Sequence, residues 1–151
     1  TSKKDNEEYL KKIGATSVQF FDELDIGERP LESASFGGAI DNLGGNILSW
    51  LLRSTVEEGN VASIGLALNY KLDTNVMPFI LRGVNLLGVN STTLPKIIKE
   101  KVWRKISEEM IPKNIDSIVT KELTLQDLEG SFQQYLDASV VGRIIVNIDD
   151  A

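Results

Sequence analysis

The 151-residue chain contains no cysteine and no histidine. Without thiols there is no disulfide framework, no thiolate zinc site and no cysteine nucleophile. Without imidazole the commonest general base is missing, so any chemistry falls to carboxylates, lysine, tyrosine, serine and threonine. No stretch approaches the roughly 18 consecutive apolar residues of a membrane span. The opening T-S-K-K-D-N-E-E has no apolar core of the kind that directs secretion, so cytoplasmic residence without a membrane partner is expected. Sixteen Lys and Arg face 22 Asp and Glu, and the net charge of −6 opposes non-specific binding to nucleic acid.

What is present suits a folded α/β protein. Apolar residues make up 42% and charged residues 25%, the ordinary balance of a globular chain. A domain of this length buries roughly 68–70% of its extended surface. Residues 76–91, V-M-P-F-I-L-R-G-V-N-L-L-G-V-N-S, change period midway. Pro78 fits a first helical turn and Gly83 stops the helix after Arg82. Val84, Leu86, Leu87 and Val89 then form an apolar strand over residues 84–89.

The same alternation runs through the chain. Asp5 or Asn6 is expected to cap a helix carrying Tyr9, Leu10 and Ile13, with Gly14 ending it. Residues 18–21 read as a strand, 22–35 as an acidic surface connection, and 38–41 as a second strand. Leu43, Ile47, Trp50, Leu51 and Ser54 repeat at helical spacing until Gly59, and residues 61–65 follow as a buried strand. Residues 66–75 read as a loop. Leu94, Ile97, Ile98, Val102, Ile106 and Met110 mark a longer helix with Thr93 as its cap and Pro95 in its first turn. Leu125, Leu128, Phe132, Tyr135 and Leu136 describe another, and residues 143–148 a last strand. Strands alternating with helices favour parallel pairing through right-handed crossovers.

The stretch 76–91, together with A-I-D-N-L-G-G at 39–45 and the closing G-R-I-I-V-N-I at 142–148, resembles the quinone oxidoreductase and acryloyl-CoA reductase branch of the medium-chain dehydrogenase/reductases. The resemblance implies a partial Rossmann-like, doubly wound parallel sheet over residues 1–120. Residues 121–151 then supply a C-terminal helix and strand belonging to the catalytic, GroES-like domain. A Rossmann domain cradles the cofactor pyrophosphate on a glycine-rich turn, G-x-G-x-x-G, between its first strand and helix. This chain has no such turn, since Gly37-Gly38 and Gly44-Gly45 do not supply it. The chain therefore reads as the C-terminal part of a larger reductase.

Further expectations come from the resemblance alone. Thr1, Ser2, Lys3 and Lys4 match the positions that meet the adenosine ribose, where hydroxyls and ammonium groups in place of a carboxylate imply NADP over NAD. A lysine pair there also reads as a solvated terminus. Ser17 stands where relatives can carry a phosphate-binding arginine. Leu66 matches a residue on the adenosine and nicotinamide-ribose side, and Ile80 and Ser91 match positions flanking the nicotinamide. Leu66 and Ile80 can equally be core residues, and Ser91 a turn or cap hydroxyl.

The implied reaction is hydride transfer from NADPH to an activated double bond in a quinone, an enone or an acryloyl thioester, without zinc or another metal. No residue of this chain is assigned a catalytic role. Pairing of strand 84–89 with its copy implies a homodimer. The competing reading is a non-catalytic α/β interaction domain that has lost cofactor binding; a methyltransferase-like sheet lacks its own glycine loop and ranks last. The carboxylate pairs Asp22 and Glu23, and Asp149 and Asp150, read as solvated surface. Asp41 stands at a strand end of the kind where open α/β sheets bind ligands, but the resemblance implies that it supports the local turn before Gly44, and Trp50 and Trp103 read as packing residues.

Overall fold

The computed structural model describes residues 1–148, and Asp149 and Asp150 lie outside the described residues. In chain order the helices and strands are α1 (Glu7–Lys12), β1 (Phe36–Asp41), α2 (Gly45–Ser54), β2 (Thr55–Ser63), α3 (Met77–Arg82), β3 (Asn85–Gly88), α4 (Lys96–Glu109), β4 (Val119–Thr124), α5 (Phe132–Leu136) and β5 (Arg143–Asn147). Every ladder among the described residues is parallel, as an α/β chain of this alternation requires. The chain divides into two compact units, one of residues 25–100 and one of residues 1–24 with the chain from 101 onward.

In the 25–100 unit the sheet order is β1-β2-β3. Ala39, Val61 and Leu86 stand abreast in the register, and their face meets α2 and α3. Leu48, Leu52, Val61 and Val84 form the core there, with Leu51 and Phe79 packed against it. Leu52 and Val61 are fully buried, which stabilises by roughly 1.5–3 kcal/mol each relative to exposure. Ile40, Ala62 and Leu87 stand abreast on the opposite face, because successive residues of a strand point to opposite sides. That face is open, with Ile40 78% and Leu87 47% exposed.

Local chemistry sets the element ends. The buried Asp41 carboxylate accepts the N–H groups of Leu43 (3.2 Å) and Gly44 (2.9 Å), which makes the turn that launches α2. Gly44 has φ 71°, and a Cβ on it would lie 2.1 Å from the Asn69 carbonyl oxygen, so no other residue fits. Gly59 does not end α2, contrary to the helical pattern. The helix stops at Ser54 and passes directly into β2, where the buried Thr55 hydroxyl donates to the Leu51 carbonyl at 2.7 Å. Gly59 lies inside β2 beside a bulge, and a Cβ there would meet Thr55 Cγ2 at 2.4 Å. Helix α3 follows its pattern, with Pro78 in the first turn and the left-handed Gly83 as its cap. Arg82 binds that helix to the rest of the unit by donating to the carbonyls of Arg53 (2.9 Å), Thr55 (3.1 Å) and Glu32 (2.6 Å). Trp50 packs edge-on against Phe36, with ring centroids 5.2 Å apart.

In the other unit three expectations are corrected. Residues 18–21 form no strand: Phe20 is extended but Phe21 already opens a 3-10 turn, Phe21–Glu23, with its N–H donating to the Thr1 carbonyl at 2.9 Å. The helix expected over 125–136 is confined to α5 and a preceding 3-10 turn at Glu129–Ser131. The Thr124 hydroxyl donates to Asp127 at 2.7 Å and holds residues 124–128 in a turn instead. Neither Asp5 nor Asn6 caps α1 with its side chain, since a 3-10 turn at Lys4–Asn6 leads into it. Strand β4 had no sequence expectation; it pairs with β5 from Val119↔Arg143 to Thr124↔Asn147. In α4 no residue is buried, and Trp103 is 68% exposed rather than packed.

Candidate functional site

Ser2, Lys3 and Lys4 line a cavity of about 510 Å³ together with the turn that carries Asp137, Ala138 and Ser139. The first residues are shaped locally, because the Thr1 hydroxyl accepts the Lys3 N–H at 3.2 Å and the Thr1 N–H donates to the Gln19 carbonyl at 2.8 Å. Lys4 is already engaged. Its ammonium lies 2.6 Å from Glu23, 3.6 Å from Asp22 and 5.4 Å from the Phe20 ring centroid. The hydrogen bond to Glu23, followed by the charges of Asp22 and Glu23, raises its pKa and keeps it protonated. Among the described residues the side chains of Ser2 and Lys3 make no hydrogen bond or ion pair, so their donors face the cavity's solvent.

Across that cavity Asp137 accepts the Ser139 N–H at 2.9 Å. The Ser139 hydroxyl and N–H hold the Asp137 carboxyl below the usual carboxylate range, with Lys3 adding a smaller pull in the same direction. Asp137 is therefore ionised at neutral pH. The chain reverses at Ala138, a non-glycine residue with φ 55°. Sequence reading missed this wall of the cavity, because a D-A-S turn after a short helix carries no signal of its own.

The remaining predicted residues fall elsewhere. Ser17 is exposed just before the extended segment and is not among the residues lining the cavity. Leu66 lies beyond the C-terminal end of β2 and Ile80 on α3, at 66% and 71% exposure, so neither is a core residue. Ser91 follows β3; Asn90, not Ser91, accepts the turn N–H groups of Thr92 and Thr93, both at 3.2 Å. The first bonded carbonyl of α4 is that of Pro95, so Thr93 does not provide its cap. The ends of β1 and β2 are fastened together, as the Ala67 N–H donates to the Asn42 carbonyl (3.0 Å) and the Leu68 N–H to the Leu43 carbonyl (2.9 Å). In open parallel sheets these C-terminal strand ends are where ligands bind.

A second cavity, of about 450 Å³, opens in the 25–100 unit beside Gly45, Asn46, Ser49 and Arg53, and contains none of the predicted residues. Arg53 spends its guanidinium on the carbonyls of Ile26, Gly27 and Arg29 at 3.3–3.4 Å, which marks it as a loop anchor. Among the described residues no group of three or more acidic, His or Cys side chains is arranged to hold a metal ion. No helix there is long and apolar enough to cross a membrane.

No protein-family model matches the chain. Individual relatives do. It is 33% identical over 150 residues to acrylyl-CoA reductase AcuI of Ruegeria pomeroyi, an alignment covering 99% of this chain and 45% of the relative. The solved structure of Bacillus subtilis YhfP with NAD bound is 33% identical and superposes with a TM-score of 0.90, over 97% of this chain and 45% of that one. Escherichia coli YhdH with bound NADPH is 32% identical with a TM-score of 0.83, again over 97% and 45%. The chain thus spans about half the length of the relatives it matches. Identity shared along nearly the whole chain and a closely superposing backbone lead to one assignment: the chain corresponds to a part, somewhat under half, of quinone oxidoreductases and acrylyl-CoA reductases of the medium-chain dehydrogenase/reductase type.

Proposed function

We propose that the chain is the C-terminal part of a zinc-independent, NADPH-dependent oxidoreductase that reduces an activated double bond in a quinone, an enone or an acryloyl-CoA-type acceptor. The observation that carries this reading is the cavity lined by Ser2 and Lys3, in a chain 33% identical to an acrylyl-CoA reductase. The donor set can take a phosphate monoester: the Ser2 hydroxyl and the Lys3 ammonium, which makes no ion pair, supply charge-assisted hydrogen bonds, against the carboxylates of Asp5 and Asp137 that line the same cavity. The open apolar face of the β1-β2-β3 sheet fits a protein in which further chain covers it, because parallel sheets are ordinarily buried on both sides.

In this reading residues 1–120 form the cofactor domain and 121–151 the segment returning to the catalytic domain. Ser2 and Lys3 hold the 2′-phosphate of NADP, with Thr1 shaping the loop and Lys4 anchoring it to Glu23. Ser17 is assigned to the phosphate end by its matching position alone, since it does not line the cavity of Ser2 and Lys3. Leu66, Ile80 and Ser91, all exposed, are assigned to the ribose and nicotinamide end by their matching positions, Leu66 and Ile80 for apolar contact and Ser91 for its hydroxyl. The bound cofactor supplies a hydride to the β-carbon of the acceptor while negative charge develops on the acceptor's carbonyl oxygen. This chain's part is to bind and orient, and it assigns no catalytic acid. The protein works in the cytoplasm as a homodimer joined through β3, an edge strand whose unpaired backbone groups are suited to pairing with a second copy.

The test is cofactor titration of the parent protein. NADPH is expected to bind at least tenfold more tightly than NADH, and Lys3→Ala to abolish most of that difference. Equal affinities in the unaltered parent would refute the phosphate role. No binding of either cofactor would favour the interaction-domain reading, which the open sheet face alone also accommodates.

A further inference from the structure

We infer that Asp137 is a specificity-determining residue of the nucleotide site, a fixed negative charge that limits how strongly the cavity prefers a 2′-phosphate. The inference rests on the phosphate reading of Ser2 and Lys3. Its own basis is the placement of the turn 137–139 against the same cavity, although more than 130 residues of chain separate the two walls. A carboxylate and an ammonium facing one another across an open cavity do different things to an incoming dianion. Lys3 attracts it, and Asp137 both repels it and partly neutralises Lys3 beforehand.

The geometry makes the charge permanent rather than incidental. Asp137 closes its own turn by accepting the Ser139 N–H at 2.9 Å, so its carboxylate cannot swing away without breaking that bond. The Ser139 hydroxyl, and after it the Ser139 N–H, hold its carboxyl below the usual carboxylate range. Ala138 adopts φ 55° at the apex, a conformation that costs energy for a residue with a Cβ and persists because the turn on either side of it is pinned. A nucleotide with a free 2′-hydroxyl meets no penalty here, since a carboxylate is a good acceptor for a ribose hydroxyl. The cavity is therefore built for a moderate rather than an absolute preference between the two nucleotide classes.

The test uses the 151-residue chain itself, which contains both walls of the cavity, titrated by NMR with adenosine 2′,5′-bisphosphate and with adenosine 5′-monophosphate. Asp137→Asn removes the charge and retains the acceptor oxygen that closes the turn. It is expected to tighten the bisphosphate by about threefold to tenfold, less at high salt, and to leave the monophosphate within about twofold. Asp137→Glu is expected to behave as the unaltered chain. If Asp137→Asn leaves the bisphosphate unchanged, or tightens both ligands equally, while Lys3→Ala still weakens the bisphosphate selectively, the role of Asp137 is overturned and the phosphate site stands. If Lys3→Ala has no effect and the two ligands bind alike, the phosphate site itself is overturned, and this inference with it.

Discussion

The two compact units of this chain have similar sequence patterns and opposite interiors. Ile47, Leu48, Leu52, Val61 and Val84, the buried apolar residues of the described chain, all belong to residues 25–100. Among its described residues the other unit buries one, the polar Ser131, and the apolar side chains there lie at or near the surface. Both units contain parallel strands and amphipathic helices. What separates them is the number of layers: three strands covered by α2 and α3 enclose a core, whereas the two-stranded β4-β5 pair has too little area to do so. Periodicity thus prepares a residue for burial, and a partner surface has to complete it.

Three substitutions can break or sharpen this contrast in the 151-residue chain. The largest effect is expected from Leu52→Ala, which empties a fully buried site in the three-stranded unit and should cost about 2–5 kcal/mol in urea unfolding. A cost below that of ordinary surface changes would mean that the apparent core contributes little. Asp41→Ala comes next. It strands the N–H groups of Leu43 and Gly44 in a largely buried turn and should cost about 1–3 kcal/mol, with earlier amide exchange at the start of α2 as the local readout. The smallest effect is expected from Trp103→Ala on the exposed α4, within about 0.5 kcal/mol. A loss as large as that of Leu52→Ala would show that α4 is packed in solution and would end the contrast.

Much of the architecture was legible where a local rule and the tertiary environment agreed. Pro78 and Gly83 bracket α3, the A-I-D-N-L-G-G stretch forms the Asp41 turn, and β3 follows where the apolar run begins. Legibility failed where side chains or neighbours competed with a pattern. Phe20 and Phe21 favour a strand, but no ladder forms on them. Leu125 and Leu128 keep helical spacing, yet Thr124 and Asp127 close a turn through them. Gly59 resembles a helix stop, and it is instead the residue that lets β2 pass close to Thr55. At the candidate site, Ser2, Lys3 and Lys4 were singled out by the resemblance alone, and they line one cavity. That Lys4 is committed to Glu23 was not readable, because the two residues lie 19 positions apart in an exposed segment.

The amino-acid sequence by itself determined the alternation of helices and strands through β1, α2, β2, α3, β3 and α4, the turns made by Asp41, Gly44 and Gly83, and the absence of thiol and imidazole chemistry, since each depends on a residue's own geometry or functional group. Tertiary structure decided which apolar residues became interior, separating Leu52 and Val61 from Leu66 and Ile80, and it brought Asp137 to the cavity of Lys3. Burial and charge opposition are properties of pairs of surfaces, and a linear pattern specifies only one member of each pair.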